Sequence, residues 1–471
     1  MSADYGDDSP IAAFATTPGK SALTLIRCSG KGAIELFSSV FAPVKIKDSP
    51  GNTAVHGWIV AHNEKIDEVL VSVFRAPKSY TGEDSLDICC HGGPVAGRAV
   101  TEALKSAGFR NALAGEFTFR AFTNGKLDLT KAESVMELVS AKTETGRRHA
   151  VTRLCGSLET EINEIKKLLV QVLSGAEIYL DYSEDEVSDD VDEVVGRFPN
   201  QDIALAALAR LKKLSASWRL ERIYQEGVTA VIAGRPNAGK SSLFNALLKE
   251  DRSIVTEVPG TTRDWIEAWV SIEGIPVRLI DTAGLRESAD SVEKIGVERS
   301  RQILKEAELV LYLIDGGQGV TKEDRDFCDG YNAAEYGQDR KPFLLLWNKA
   351  DIAPLPPEFP FAANGAISVS AKTGEGLERL YAAIFSAIQG QAADMQLRNM
   401  PAALGTVRQK NLVDAACAAL EEAFALVKRE EPLDLIAPLL REAVNALGEI
   451  TGEVSTSDIL EEMFSRFCVG K

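Results

Sequence analysis

The sequence predicts a multidomain α/β and α protein, with an α+β domain at the N-terminus, a helical domain, and a doubly wound α/β domain inserted into the helical one. Three observations predict this. An apolar, β-branched run (Val228, Val231, Ile232) passes through a glycine-bounded loop into SSLFNALL, the strand–loop–helix unit of a parallel sheet. Short strand-like runs separated by turns fill the first 126 residues. On both sides of the inserted part, apolar residues recur at three- and four-residue intervals.

Bulk properties narrow the class. The chain has 471 residues, and single cores stop growing at roughly 250–300, so two to four domains are expected. A hydrophobic fraction of 45% and a charged fraction of 26% are ordinary for a globular chain. No apolar run reaches the roughly 18 residues of a membrane span. The acidic start MSADYGDDSP lacks a cationic region, so no secretory signal is expected. Seven cysteines, an odd number, point to reducing cytoplasmic surroundings, and adjacent Cys89 and Cys90 cannot form a zinc knuckle by themselves. The net charge of −17 disfavours sequence-blind nucleic-acid binding but allows a local basic patch or a basic partner.

In order, residues 1–126 form the α+β domain. Ala22–Arg27, Ala54–Val60, Val69–Phe74 and Asp84–Cys90 read as strands, and Val95–Ser106 as a helix. Residues 127–224 are the first half of the helical domain, with helices over Thr130–Arg148, Ala150–Tyr182 and Asp202–Tyr224, interrupted by the acidic Ser183–Asp192, which reads as a solvated loop. Residues 225–390 are the inserted domain. Residues 391–471 are the second helical half, with helices over Asn411–Lys428 and Leu433–Leu447. Neither half is long enough for a large core alone.

The inserted domain carries the chemistry. Gly234 and Gly239-Lys240-Ser241 have the spacing GxxxxGK[ST]. Glycine lets backbone N–H groups turn inward around an anion, Lys240 reaches the β- and γ-phosphates, and Ser241 ligates Mg²⁺. The helix that follows points its positive end at the same phosphates. A nucleoside triphosphate is therefore expected on Asn237, Ala238, Gly239, Lys240, Ser241 and Ser242. Thr262, in VPGTTRD, can reach Mg²⁺ and report the γ-phosphate. Strands Trp269–Ile272 and Val277–Ile280, a hairpin at Gly274, lead to Asp281-Thr282-Ala283-Gly284, a Walker-B-type Asp and a Gly whose N–H can meet the γ-phosphate.

Base choice falls to Asn348-Lys349-Ala350-Asp351, at the end of the strand FLLLW. The Asp351 carboxylate accepts only, so it suits the paired N–H donors of guanine and repels adenine's acceptor. Ser370-Ala371-Lys372 ends the strand Ala366–Val369 and can offer a backbone N–H to the guanine oxygen. In this order the motifs select GTP and imply a Ras-like sheet with its ligand at the strand C-termini.

One residue breaks the pattern. Leu285 stands after DTAG, where Ras-like proteins place a water-orienting Gln. A catalytic group must come from elsewhere, and Glu287, Asp290 and Glu293 are the nearby acidic candidates. Asn237, inside the phosphate loop, has an amide oxygen that could coordinate a monovalent cation, where K⁺ would supply the charge of an arginine finger.

Thr17–Gly30 (TPGK…LIRCSG), Ser79–Asp84 (SYTGED), Gly115–Leu129 (GEFTFRAFTNGKLDL), the inserted domain and the ending ITGEVSTSDILEEMFSRFCVGK together resemble the MnmE (TrmE) family of bacterial tRNA-modification GTPases over nearly the whole chain. The resemblance implies a homodimer joined by its N-terminal domains, with G domains meeting across GTP and K⁺. With an FAD-containing partner (MnmG, or GidA), such a protein installs an aminomethyl-type group on carbon five of the wobble uridine of certain tRNAs. A tetrahydrofolate on residues 1–126 supplies the one-carbon unit. By motif, the family's potassium site falls on Asn237, Thr256, Val258 and Thr261, and its magnesium site on Ser241 and Thr262. Its catalytic Glu falls on Glu293, within Asp290-Ser291-Val292-Glu293. Its folate contacts fall on Arg27, Lys126, Lys471 and Asp87, the last an aspartate where glutamate is usual. Cys89 and Ala114 are further departures, both local. Cys468 keeps the family's cysteine; it reads as a nucleophilic thiol or, flanked by Phe464 and Phe467, as a small core residue. The competing class is a regulatory or ribosome-assembly GTPase of the Era or EngA type, which shares the G-domain motifs but lacks the N-terminal motifs and FCxGK.

Overall fold

A computed structural model describes residues 5–43, 45–181, 200–249, 253–254, 266–281, 302–332, 342–357, 359, 361, 365–390, 402–454 and 457–471. The N-terminal elements are β1 (Ile11–Phe14), β2 (Leu23–Ser29), α1 (Ala33–Phe37), β3 (Phe41–Ala42), β4 (Thr53–Ala61), β5 (Glu64–Phe74), β6 (Ser85–His91), α2 (Pro94–Ala107), β7 (Arg110–Asn111) and α3 (Glu116–Thr123). Helices α4 (Leu129–Ser140), α5 (Glu144–Leu154), α6 (Ser157–Asp181) and α7 (Gln201–Glu226) come next. The nucleotide motifs lie among β8 (Val228–Gly234), α8 (Lys240–Lys249), β9 (Ser253–Ile254), β10 (Ile266–Ile272), β11 (Ile275–Asp281), β12 (Leu309–Asp315), α9 (Lys322–Asn332), β13 (Phe343–Asn348), β14 (Ile367–Ser368) and α10 (Leu377–Gln389). Then follow α11 (Val407–Lys428), α12 (Leu433–Thr451) and α13 (Ser457–Ser465).

These elements divide into two compact units: Met1–Met136 with Leu154–Leu211 and Asn411–Lys471, and Glu137–Arg153 with Lys212–Lys410. In the first, a seven-stranded sheet runs β3-β4-β5-β6-β2-β1-β7, with β1–β7 parallel and the other pairs antiparallel. Period-two alternation sends Ile26, Cys28, Val69, Val71, Val73, Leu86 and Ile88 to one face, where they pack with Val100, Ala103 and Leu104 of α2. The opposite face receives Arg27 and Asp87, which are register partners on β2 and β6. Helix α6 packs along α12; Ile162, Ile165, Leu169, Val172 and Ala176 recur at helical spacing and are all fully buried. The last residues lie against the sheet domain, where Val469 bridges Ala114. Gly470, at φ +96, leaves 2.2 Å between a notional Cβ and the Phe14 carbonyl, so only glycine fits.

Two helices expected as continuous are each interrupted. The first stops at Ser140, the end of α4, and helix resumes at Glu144, where Thr143 Oγ1 accepts the Gly146 N–H at 3.2 Å and so starts α5 as an N-cap. Gly156, at φ +93, turns the chain between α5 and α6.

The second unit is built on a sheet of order β14-β13-β12-β8-β11-β10-β9. Strands β14, β13, β12, β8 and β11 are parallel, and β10 pairs antiparallel with β11 across a hairpin at Gly274 (φ +83). β12 (LVLYLID) is buried at every position, as a central parallel strand should be. The same unit holds a buried charge cluster. Arg153, 2% exposed, donates from Nε to Glu137 Oε2 at 2.7 Å and from Nη1 to Glu221 Oε1 at 2.7 Å, and His149 Nδ1 lies 2.9 Å from Glu221 Oε2. Burial works to raise the Glu221 carboxyl, but the His149 and Arg153 contacts outweigh it and hold it below its ordinary range.

Candidate functional site

The chain leaves β8 toward β10 and β11 on one side and returns to β12 on the other. Strand order therefore reverses at β8, and the loops beyond the carboxyl ends diverge to open a crevice there. A cleft of about 1010 Å³ lies at this point, lined by Gly234–Asn237 and Gly239–Ser242 with Tyr312, Phe327 and Lys349.

The phosphate loop has the backbone its residue types require. Gly239 sits at φ +97, and a Cβ there would lie 2.2 Å from Asn348 Nδ2. Asn237 is also left-handed, at φ +62, a conformation asparagine tolerates, and it is exposed. Lys240 folds back over the loop, its Nζ donating to the carbonyls of Gly234 (3.0 Å) and Arg235 (2.8 Å). The Ser241 hydroxyl donates to Asp281 Oδ2 at 2.7 Å, and Asp281 is fully buried. Ala238 is buried, and Ser242 is exposed in the first turn of α8.

Asn348 joins this loop to the base-side loop. Its Nδ2 donates to the Ala238 carbonyl at 2.8 Å, and its Oδ1 accepts the Ala371 N–H at 3.0 Å. The amide is thus used at both ends, and its role in the structure is to hold the two loops together. Asp351 is exposed, with Oδ1 accepting from the buried Ser370 hydroxyl at 2.7 Å. That bond fixes the carboxylate and leaves lone pairs for N–H donors. Lys372 is exposed beside Ala371. Lys349 Nζ donates to Asp315 Oδ2 at 2.7 Å. Asp315 is the residue that sequence reasoning missed; the available signal was a lone carboxylate closing the apolar run LVLYLI. Thr256, Val258, Thr261, Thr262, Thr282, Ala283, Gly284, Leu285, Glu287, Asp290 and Glu293 lie outside the described residues.

In the first unit, Arg27 donates to both Asp87 oxygens, at 2.9 and 3.2 Å, a bidentate pair in which each side chain is about four-fifths buried. Arg27 also lies 5.7 Å from the Tyr80 ring centroid, and the Tyr80 hydroxyl is 3.0 Å from Thr118 Oγ1. Burial, chiefly, pushes that phenol up. Lys126 Nζ donates to the Pro77 carbonyl at 2.9 Å. The Lys471 N–H donates to the Cys468 carbonyl at 3.3 Å. Cys468 is exposed while Phe464 and Phe467 are buried, so it is not a core residue. The Ala114 carbonyl accepts from the Tyr5 hydroxyl at 2.7 Å.

A mostly parallel sheet with a glycine-bounded phosphate loop at its reversal point, tied to an NKAD loop, defines a guanine-nucleotide-binding P-loop domain. Residues 129–468 match the family described as MnmE helical domain, and residues 10–126 match the one described as GTP-binding protein TrmE N-terminus. The chain belongs to the MnmE (TrmE) family and is a GTPase. It is 43% identical to the tRNA modification GTPase MnmE of Treponema denticola, over 99% of this chain and 99% of that protein. Identity is 42% to the protein of that name from Borrelia recurrentis, over 100% of both chains. It is 40% to that of Carboxydothermus hydrogenoformans, over 98% of this chain and 99% of the relative. This end-to-end likeness does not favour the Era or EngA alternative. No helix among the described residues is long and apolar enough to cross a membrane.

Proposed function

We propose that this chain is a potassium-dependent GTPase that, with an FAD-containing partner of the MnmG type, modifies carbon five of the wobble uridine of certain tRNAs to a (carboxymethyl)aminomethyl form, using a tetrahydrofolate one-carbon unit. The observation that carries the reading is the Asn348 bridge. It joins the phosphate and base loops in a chain aligned end to end with MnmE relatives. Mg²⁺ suits an all-oxygen donor set of Ser241 and Thr262, beside the buried Asp281 carboxylate; when bound, it neutralises phosphate charge. Asn237, exposed in the loop, would with Thr256, Val258 and Thr261 hold K⁺. Glu293 would then orient the attacking water that Leu285 cannot. Arg27, Asp87, Lys126 and Lys471 would hold the folate: the Arg27 fork, paired here with Asp87, suits a carboxylate or pterin edge, and Lys126 acts as a point charge. The exposed Cys468 thiol is the candidate nucleophile nearby in sequence. The domains are 1–126 for folate and dimerisation, 127–224 and 391–471 for the helical domain, and 225–390 for the G domain. The working form is a cytoplasmic homodimer with tRNA as its substrate. GTP turnover at equal ionic strength in KCl and NaCl tests the potassium site: a steep rise in K⁺ is expected, and equal rates in both salts refute it.

A further inference from the structure

We propose that Asp315, at the C-terminal end of β12, is a positioning residue for nucleotide binding, holding the Lys349 side chain in place so that the base end of the cleft is formed before nucleotide arrives. This rests on the reading that the Asn348–Asp351 loop takes guanine. Asp315 is 2% exposed and is the register partner of Asn348 on β13. Its Oδ1 accepts the Gly317 N–H at 2.9 Å, its Oδ2 accepts from Lys349 Nζ at 2.7 Å, and its carbonyl accepts the N–H groups of Gln318 (3.1 Å) and Gly319 (2.9 Å). The turn after β12 therefore wraps the carboxylate and fixes it. Gly316 donates to the Asn348 carbonyl at 2.9 Å, and a Cβ on Gly316 would lie 2.6 Å from that oxygen, so the two strand ends are locked together.

Lys349 sits at φ +65 and lines the cleft with its side chain 35% exposed. A long lysine at a cleft mouth samples many rotamers, and a ligand that packed on it would bear the cost of ordering it. The charge-assisted contact with Asp315 orders it in advance.

Asp315→Asn retains an acceptor for Gly317 and the side-chain size while losing the charge pairing. Binding of a fluorescent GDP analogue should weaken about tenfold, with the KM for GTP rising in step and kcat unchanged, because the phosphates are held by other strand ends. Lys349→Ala should reproduce the loss, and adding Asp315→Asn to it should cost no further affinity. Wild-type affinity in either single variant, an equal further loss in the double variant, or a fall in kcat at constant KM would overturn the proposal. Asp351→Asn tests the underlying reading separately: replacing an acceptor with a donor should exchange guanine preference for xanthine, and retained guanine preference would refute the base assignment whatever Asp315 does.

Discussion

The most demanding test of the site's construction is Gly239→Ala. Gly239 is at φ +97, and left-handed backbone costs an alanine about 1–2 kcal/mol. The added Cβ would also lie 2.2 Å from Asn348 Nδ2. Asn348 is 2% exposed and can move only by giving up its bonds to Ala238 (2.8 Å) and Ala371 (3.0 Å). Two buried hydrogen bonds lost at about 1–1.5 kcal/mol each add about 2–3 kcal/mol. The sum is about 3–5 kcal/mol, and if half of it falls on the site, nucleotide affinity drops roughly 10- to 60-fold. Urea unfolding and equilibrium binding of a fluorescent GDP analogue measure the two parts. Gly365→Ala is the control, since Gly365 has φ +67 but nothing within 4 Å of a notional Cβ, so it should show the backbone cost alone. Wild-type affinity in Gly239→Ala, or losses equal to those of the control, would refute Asn348 as the bridge between the loops.

Two further outcomes follow from named residues. Glu293→Ala should abolish GTP turnover while leaving GTP affinity nearly intact; loss of binding would make Glu293 structural instead. Arg153→Met leaves two buried carboxylates, Glu137 and Glu221, without their cation, and should cost about 3–5 kcal/mol in urea unfolding at pH 7. The Glu221 carboxyl is held below its ordinary range, so its stabilising contribution is present above the ordinary carboxylate pKa and is lost as pH falls through the lowered folded value. The gap between wild type and Arg153→Met should accordingly narrow in acid, and a gap that stays constant or widens would contradict the charge pairing.

The phosphate loop was legible because its chemistry is local: a strand end, two glycines and a lysine leave few alternatives within eight residues, Gly234–Ser241. Asp315 was not legible because its role appears only when β12 and β13 pair in parallel and bring Asn348 alongside. Arg153 belongs to no sequence motif; its burial depends on Glu137 and Glu221, 16 and 68 residues away. The break at Thr143 was hidden because apolar spacing continues across it, while the capping bond belongs to one hydroxyl. Cys468 stood open between a nucleophilic thiol and a small core residue, and its exposure removes the core reading. Neighbouring aromatic residues suggest a core, but Phe464 and Phe467 turn inward and the thiol turns out.

The proposed function is tested most directly by nucleoside analysis of tRNA from a strain lacking this chain, with and without its re-expression. Loss of the carbon-five modification at the wobble uridine, restored by the wild-type chain but not by Glu293→Ala, is the predicted result. A wobble-uridine profile unchanged by the deletion would contradict it.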